Sequence, residues 1–523
     1  CTSRRYRRVP GGVKAMLAEK CRTDEDSVKR LLIFLAAVHD LGKATPVFQD
    51  ECHAYGAYMS QFLTTALRWL GAYGVPVIVL SATLPAEKRV SVIKAYLGLS
   101  EDKGSLHNES ALLENRSYPL ITYTDGDEVY QRAVPDEDAE TTTVQLERLD
   151  FEAIGDKLEE VLRDGGCAGV IVNTVKRSQQ LAREFRKRFG DNVVRLLHSR
   201  FLTPDRMEKE RVLREELGKP AENSKRPALC IVAGTQVLEQ SLDIDFDVLI
   251  TDICPMDLLL QRIGRLHRHS GRIRPPRLRE PVCYVTGLES NGFESGSLEI
   301  YGEYLLARTR ALLPSSVTLP NDIPVLVNEV YRDDTEDSEA KQAWQDKKHG
   351  AESKAKTFLL CAPMKRSNKT IVGWLNTSIG DDPSGKRGER TVRDTSPSIE
   401  VLAVVESGGV MSLFSGQTLP RELDDESARE LAKQSLRLHA ALSENEHITE
   451  LEELARKKVP QWQESKWLKG ELFLFFDETG TAELGDYFCK CTVYSRKTQI
   501  PTKISKKHLR SVPRCANIFL RDR

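Results

Sequence analysis

The sequence predicts an α/β protein built on a parallel β-sheet, and three observations carry that expectation. Short β-branched runs recur from about residue 141 to 270: "TTTVQLERL", "GVIVNTV", "NVVRLLHSR", "ALCIVAGT" and "DVLITDI". Helical stretches such as "KRSQQLAREFRKRF" and "TPDRMEKERVLREEL" lie between several of them. A helix between two strands returns the chain to the edge it left, so the strands run parallel and both sheet faces are covered. The third observation is composition: 40% apolar and 29% charged residues over 523 positions is an ordinary globular balance. At ~100–200 residues per domain there is room for roughly three or four domains.

Taken in order, residues 24–43 read as a helix. Asp24, Asp26 or Ser27 can cap it, Val28, Leu31, Leu32, Leu35 and His39 share one face, and Gly42 ends it. Its apolar run "LLIFLAAV" is far short of the ~20 residues that cross a bilayer, so no membrane association is expected. The opening "CTSRRYRRVPGG" is basic with no apolar stretch behind it, unlike a secretory signal; it begins with Cys, as a fragment or a processed start would. Past Asp50, "YMSQFLTTALRWLGAYG" reads as a helix, "VPVIVLSATLP" as a buried strand running into a loop, and the polar residues 101–116 as a loop. After 290 the pattern weakens, and the charged residues 333–356 form a solvated helix or a linker. From about 396, the hairpin "IEVLAVVESGGVMSLF" turning at Gly408-Gly409, two helical stretches and a strand-rich segment suggest a small α+β domain with a basic tail, "RKTQIPTKISKKHLR". Domains are therefore expected at 1–49, 50–135, 136–290, 291–395 and 396–523. The eleven cysteines include no C-x-x-C pair, which points to reduced, mostly buried thiols in a cytoplasmic protein. Net charge is −1, so any nucleic-acid surface is local.

Three segments carry chemistry. "DECH" (Asp50–His53) offers a carboxylate for Mg²⁺, Asp50, and a neighbour to activate an attacking water, Glu51; on its own it reads better as an exposed acidic turn. "SATLP" follows an apolar run, and the hydroxyls of Ser81 and Thr83 either couple a nucleotide site to a bound strand or cap the strand end. The most specific is "GTQVLEQSLDID" (Gly234–Asp245) followed by "QRIGRLHRH" (Gln261–His269). Arg262, Arg265 and Arg268 are three apart, a spacing that fans them along one flank of a helix. Guanidiniums reaching across a cleft neutralise charge building on a γ-phosphate, worth roughly 10³–10⁵ in rate. Alone, the run is equally a nucleic-acid patch or a solvated basic face, since Arg272, Arg274, Arg277 and Arg279 extend it. The order of the motifs favours the phosphate role.

With these segments the chain resembles a superfamily 2 helicase, and more narrowly the CRISPR-associated helicase–nuclease of type I systems. "FLAAVHDLGKATPVFQ", "DECHAYGAYMSQFL", "VIVLSATLPAEKR", "LLHSRF", "QVLEQSLDIDFD" and "QRIGRLHRH" carry the likeness, over most of residues 27–290. The resemblance implies RecA-like lobes, a helical HD nuclease segment before them, and a linker and accessory domain after them. It implies a monomer that degrades single-stranded DNA while an ATP- and Mg-dependent motor reels the strand in, recruited by a guide-RNA surveillance complex in antiviral defence. By the same resemblance Asp50 and Glu51 handle Mg²⁺ and water, and His53 links the ATP site to Ser81 and Thr83. Asp243, Gln261, Arg265 and Arg268 close on the nucleotide, while Thr174, His198, Ser199 and Thr235 touch the DNA backbone. His39 and Asp40 bind the divalent transition metal of the nuclease, with Lys43 one helical turn beyond His39.

Both implied active sites are incomplete in the sequence. An HD nuclease draws several His and Asp ligands from separate helices, yet His39 is the only histidine in the first 50 residues. ATP binding needs a G-x-x-x-x-G-K-[ST] loop upstream of the D-E-x-H box, and none precedes Asp50. The near match "GDDPSGKR" (Gly380–Arg387) has Arg in place of Ser/Thr, no buried strand leading into it, and the wrong place in the order. The residues before Asp50, "KATPVFQ", continue the HD segment where a buried strand should stand. A large internal deletion joining Gln49 to Asp50 accounts for all of this, and it predicts poor or absent ATPase and nuclease activity, an intact second lobe, and a first lobe reduced to a half-sheet with exposed apolar edges. Competing readings are a non-catalytic remnant that binds nucleic acid or the surveillance complex, a DExH RNA helicase, and a free-standing HD phosphohydrolase lacking most of its ligands.

Overall fold

A computed structural model describes residues 57–99, 106–134, 141–220, 226–239, 242–289, 292–332, 338–356, 399–438, 442, 445–485, 487–490 and 517–520. The helix expected over 24–43, with His39, Asp40 and Lys43, lies outside these residues, as do Asp50, Glu51, His53 and "GDDPSGKR". The chain divides into two compact units, one of residues 140–322 with 386–523 and the other of 1–139 with 323–385.

In the first of these units, β1 (Thr142–Arg148), β2 (Gly166–Ile171), β3 (Val194–Leu197), β4 (Leu229–Gly234), β5 (Val248–Asp252), β6 (Val282–Thr286) and β7 (Ser316–Leu319) form one sheet. Their order is β3-β4-β2-β5-β6-β1-β7. Every pairing is parallel except β1 with β7. The helices between and after the strands are α1 (Ile154–Val161), α2 (Val175–Phe189), α3 (Thr203–Leu217), α4 (Met256–Ile263), α5 (Ser295–Tyr301) and α6 (Glu303–Leu312). Strand β7 lies past residue 290, where the lobe was expected to end; four residues returning antiparallel after two helices give no alternation long enough to read.

The central strand β2, "GCAGVI", is buried at every position, as a strand covered on both faces must be. Gly169 within it is obligatory, because a Cβ there would stand 2.6 Å from the Phe246 ring. Helix α2 buries Ser178, Leu181, Ala182 and Phe185, the three-and-four spacing of an amphipathic helix. The Thr174 side chain caps it by accepting from the Arg177 N–H, and Arg186, Lys187 and Arg188 in its last turn meet the negative end of the helix dipole. Its apolar face joins Val170, Val194, Ile231 and Ile250 in the lobe's core.

The same unit continues into the C-terminal domain. There β8 (Glu400–Ser407) turns into β9 (Val410–Ser412) through Gly408 and Gly409, whose φ of 58° and 80° are the paired positive values that a type I′ hairpin demands. With β10 (Thr418–Leu419), β11 (Ser435–Arg437) and β12 (Phe473–Phe476) they make a five-stranded sheet. A three-stranded sheet follows, Thr481–Leu484, Tyr487–Lys490 and Asn517–Leu520. Leu202, just past β3, is buried in this domain's core with Val401, Ala403, Leu436, Leu474 and Phe476. The Thr203 hydroxyl donates to the Ser435 carbonyl at 3.3 Å, so the loop after β3 is held by the C-terminal domain.

In the other unit, helix Ala57–Ala72 forms as expected. Gly71 lets helix Ala86–Tyr96 approach closely, since a Cβ there would fall 1.8 Å from the Tyr96 carbonyl oxygen. The run expected as a buried strand is corrected: residues 75–80 form no strand, and Ile78 and Leu80 are 57% and 78% exposed. Their exposure alternates at strand pitch, but among the described residues no strand pairs with them. The loop expected over 101–116 contains helix Glu109–Glu114, because Leu106 and Leu112 find a small core with Val90 and Ile93. Of the two forms open to 333–356, a helix holds, Glu339–Lys356, and it is not fully solvated: Ala351 and Ala355 bury against Tyr58.

Candidate functional site

The carboxyl ends of β2, β4, β5 and β6 meet in one buried polar network. In an open parallel sheet this end collects ligands, because loops leaving adjacent strands diverge there and leave a crevice. Asn173, just after β2, takes part in five bonds. Its backbone N–H donates to Asp252 Oδ2 at 3.0 Å, and its Nδ2 donates to the Ile253 carbonyl and to Ser297 Oγ, both at 2.8 Å. Its Oδ1 accepts from Arg262 Nη2 at 3.0 Å, and its carbonyl accepts from Gln236 Nε2 at 3.1 Å. Asp252 Oδ1 accepts from Arg177 Nη2 at 2.9 Å and from the Thr286 hydroxyl at 2.7 Å.

Arg262 is the hub. It is 0% exposed, and its Nε donates to Glu239 Oε2 at 2.6 Å while its Nη1 donates to Thr251 Oγ1 at 2.9 Å. Burial works against its charge, but the surrounding acidic groups, Glu239 among them, hold its pKa above the usual value and keep it a cation. This corrects the expectation of three arginines on one helical flank. Helix α4 ends at Ile263, and His267 takes a left-handed φ of 49°, which turns the chain away from helical spacing. Arg262 faces into the sheet end, where it cannot form part of a nucleic-acid patch.

Arg265 and Arg268 lie past the helix and face differently. Arg265 Nη2 donates to the Glu239 carbonyl at 2.7 Å, while its buried Nε has no hydrogen-bond partner among the described residues. Burial first, and then the charge of Arg268, lower its pKa to about 10, so it stays protonated at neutral pH. Arg268 is half-exposed; its Nε donates to Asp243 Oδ1 at 2.6 Å. Burial would raise the Asp243 pKa, but the Arg268 hydrogen bond and the charges of Arg268, His269 and Arg265 bring it below its usual value. Gln261 lies on the last turn of α4, partly exposed. Of the arginines that extend the run, two are structural: Arg272 and Arg274 pair with the buried Asp245 at 2.8 and 2.9 Å, and Arg274 also bonds Asp247; Arg277 and Arg279 are exposed. The partly exposed Arg265, fixed on the Glu239 carbonyl, and the half-exposed Arg268 beside it place two guanidinium charges that suit the oxygens of a phosphate.

The residues expected to touch DNA fall on the loops leaving the strands. Thr174 is partly exposed and caps α2, and Gly296 lets α5 come close to it, since a Cβ there would be 2.5 Å from the Thr174 methyl. Ser199 is partly exposed, whereas Thr235 is 2% and His198 0% exposed. The His198 ring stacks on Phe201 at 4.4 Å, and its Nδ1 accepts from the Arg200 N–H at 3.2 Å. Burial, reinforced by Arg200 and Lys209, lowers its pKa to about 3, so the ring is neutral here, packed inside with its Nε2 3.2 Å from Gln179 Nε2. Ser81 and Thr83 belong to the other compact unit, with the Thr83 N–H 3.4 Å from Ser81 Oγ. Sequence reasoning missed Asn173, Glu239 and Tyr301; a buried cation demands acceptors, so the signal was there once Arg262 was placed inside.

Among the described residues no group of three or more His, Cys, Asp and Glu side chains could hold a metal ion. Cys167, Cys230, Cys254, Cys283 and Cys489 are buried free thiols; burial pushes Cys230 up to about 12 and Cys489 to about 11, far from the reactive range.

A parallel sheet with this carboxyl-end network and an arginine segment beyond α4 defines the second RecA-like lobe of a helicase. Family models refine the class: Cas3 HD domain matches residues 4–68, the C-terminal part of CRISPR-associated nuclease/helicase Cas3 matches 164–271, and Cas3 C-terminal domain matches 393–492. The CRISPR-associated nuclease/helicase Cas3 of Streptococcus thermophilus is 42% identical over 453 residues, covering 82% of this chain and 48% of that protein. The endonuclease/helicase Cas3 of Thermus thermophilus is 29% identical, over 81% of this chain and 50% of its own length. The crystal structure of T. fusca Cas3-ATP superposes with a TM-score of 0.70 at 26% identity, over 84% of this chain and 52% of that one. The chain belongs to the Cas3 family of CRISPR-associated nuclease/helicases. It spans about half the length of the curated relatives it matches.

Proposed function

We propose that this chain carries the nucleotide-closing and strand-holding half of an ATP-dependent single-stranded-DNA motor, in a protein whose HD nuclease and first lobe were cut by a deletion joining Gln49 to Asp50. The observation that carries the reading is Arg265: partly exposed, one N–H fixed on the Glu239 carbonyl, and Arg268 beside it on Asp243. ATP with Mg²⁺ would supply the phosphoryl group on which charge builds. Arg265 and Arg268 would neutralise that charge, with Gln261 and Asp243 lining the same approach. Thr174 and Ser199, partly exposed on loops at the strand ends, would hold the backbone of single-stranded DNA, with Thr235 beneath them. Asp50 and Glu51 would handle Mg²⁺ and the attacking water, His53 would link the ATP site to Ser81 and Thr83, and His39, Asp40 and Lys43 would be what is left of the metal-dependent nuclease. A surveillance complex is the fitting recruiter: a structure titled "CRISPR RNA-guided surveillance complex, pre-nicking" contains a chain that matches 82% of this one with a TM-score of 0.64.

The test is single-strand-DNA-stimulated ATP hydrolysis by the purified chain with Arg265→Ala beside it. No turnover above that variant is expected, because no phosphate loop precedes Asp50. Turnover that Arg265→Ala abolishes would show a working nucleotide site and overturn the deletion. A second reading, binding without turnover, is favoured by the unbroken packing of the second lobe on the C-terminal domain through Leu202. Salt-dependent binding of an oligothymidine without ATP turnover supports it.

A further inference from the structure

We propose that Tyr301 is a positioning residue whose hydroxyl ties the two strand-end loops bearing Thr174 and Thr235 to the group that holds Arg265. It sits at the last position of α5, and its hydroxyl accepts two N–H groups, Gln236 Nε2 at 3.0 Å and Arg262 Nη2 at 3.3 Å. Gln236 follows Thr235, and its Nε2 also donates to the carbonyl of Asn173, the residue before Thr174, at 3.1 Å. Arg262 Nη2 reaches the Asn173 side chain at 3.0 Å and Arg262 Nε reaches Glu239 Oε2 at 2.6 Å. The Glu239 carbonyl accepts from Arg265 Nη2 at 2.7 Å, which closes the route. A shift of either loop therefore moves Arg262, and Arg262 moves the residue on which Arg265 rests. Arg268 lies off the route, held by Asp243 and the Gly264 carbonyl.

The role rests on the assignment of Thr174 and Thr235 to the DNA side and of Arg265 to the phosphate side. Tyr301→Phe is a clean probe because each donor keeps a second acceptor, the Asn173 carbonyl for Gln236 and the Asn173 side chain for Arg262. What the variant removes is the tie through the hydroxyl, leaving only the one through Asn173.

The experiment uses the full chain and phenylglyoxal, with modification of each arginine followed by peptide mass spectrometry. In Tyr301→Phe, without DNA or nucleotide, the Arg265 modification rate is expected to rise by about threefold or more, while Arg268 is unchanged. Equal Arg265 rates in the two proteins overturn the proposal. Modification of the buried Arg262 would reveal unfolding; Gln236→Met, which cuts the other arm, then takes its place with the same expectation and the same overturning result. Added oligothymidine should alter the Arg265 rate in the wild-type chain and alter it less in Tyr301→Phe, where only the path through Asn173 remains; an equal response in both also sinks the role of Tyr301. Failure to bind oligothymidine at all would overturn the DNA-side assignment in the proposed function, and the DNA-free comparison would still decide whether Tyr301 positions Arg265.

Discussion

Two short apolar runs, "GCAGVI" in strand β2 and "VPVIVL" at residues 75–80, are alike on paper and opposite in the molecule. The first is buried at every position between two parallel neighbours. The second leaves Ile78 and Leu80 57% and 78% exposed and pairs with no strand among the described residues. The run itself does not make a strand; the neighbours that take its N–H and C=O groups do. Residues 141–286 contribute those neighbours at regular intervals, whereas the described residues just before 75 are the helix Ala57–Ala72 and a turn.

The largest expected effect breaks the complete side of this comparison. Arg262→Ala removes a guanidinium that is 0% exposed and leaves Glu239 as a buried carboxylate without its cation. Stability should fall by about 3–5 kcal/mol, the usual cost of breaking a buried ion pair from one side. Urea unfolding of wild type and variant measures it. A loss below about 1 kcal/mol would mean that the network at the strand ends is solvated and that Arg262 is a surface arginine after all.

A middle-sized effect sharpens the comparison through pH. His198 is buried against Phe201, with its pKa lowered from 6.5 to about 3 by burial and by Arg200 and Lys209. The unfolded chain therefore binds a proton below pH 6.5 that the folded chain refuses until about pH 3. Its contribution is complete above the unfolded pKa and is lost as pH falls, at about 1.4 kcal/mol per pH unit. Unfolding free energies at pH 7.5 and 5.5 should differ by about 1–2 kcal/mol from this source, and His198→Phe should remove that share. An unchanged slope in His198→Phe would place the imidazole in water in the native state.

What the sequence let one read follows the same division. The alternation over 141–252 and the Gly408-Gly409 turn are local signals, and both became the elements they suggested. The fate of the arginines is not local. A three-residue spacing fits a helix flank, but Gly264 ends α4 and the left-handed His267 redirects the chain, so Arg262 points inward while Arg268 points out. Likewise "LLHSRF" exposes nothing of His198, because Leu202 and Thr203 are drawn to the C-terminal domain more than 190 residues further along. Helix Glu109–Glu114 was hidden because a polar stretch needs only Leu106 and Leu112 on one side to find a core.

The smallest expected effect tests the incomplete side. Ile78→Ser with Leu80→Ser replaces two side chains that are mostly in solvent. Folding stability should change by no more than about 0.5 kcal/mol, since no packing is lost. Solubility should change more than stability does, because an unpaired run at strand pitch is a template for another chain's edge, and serines on it weaken that association. Light scattering against concentration reads the second effect, and urea unfolding reads the first. Had the run been the buried strand that its composition suggests, each substitution would remove about 1.5–3 kcal/mol of apolar burial and the pair would destabilise the unit outright. A neutral stability change with reduced self-association thus identifies an edge awaiting its partners, whereas a large loss would show that the partners are present and that the first lobe is more complete than residues 57–134 display.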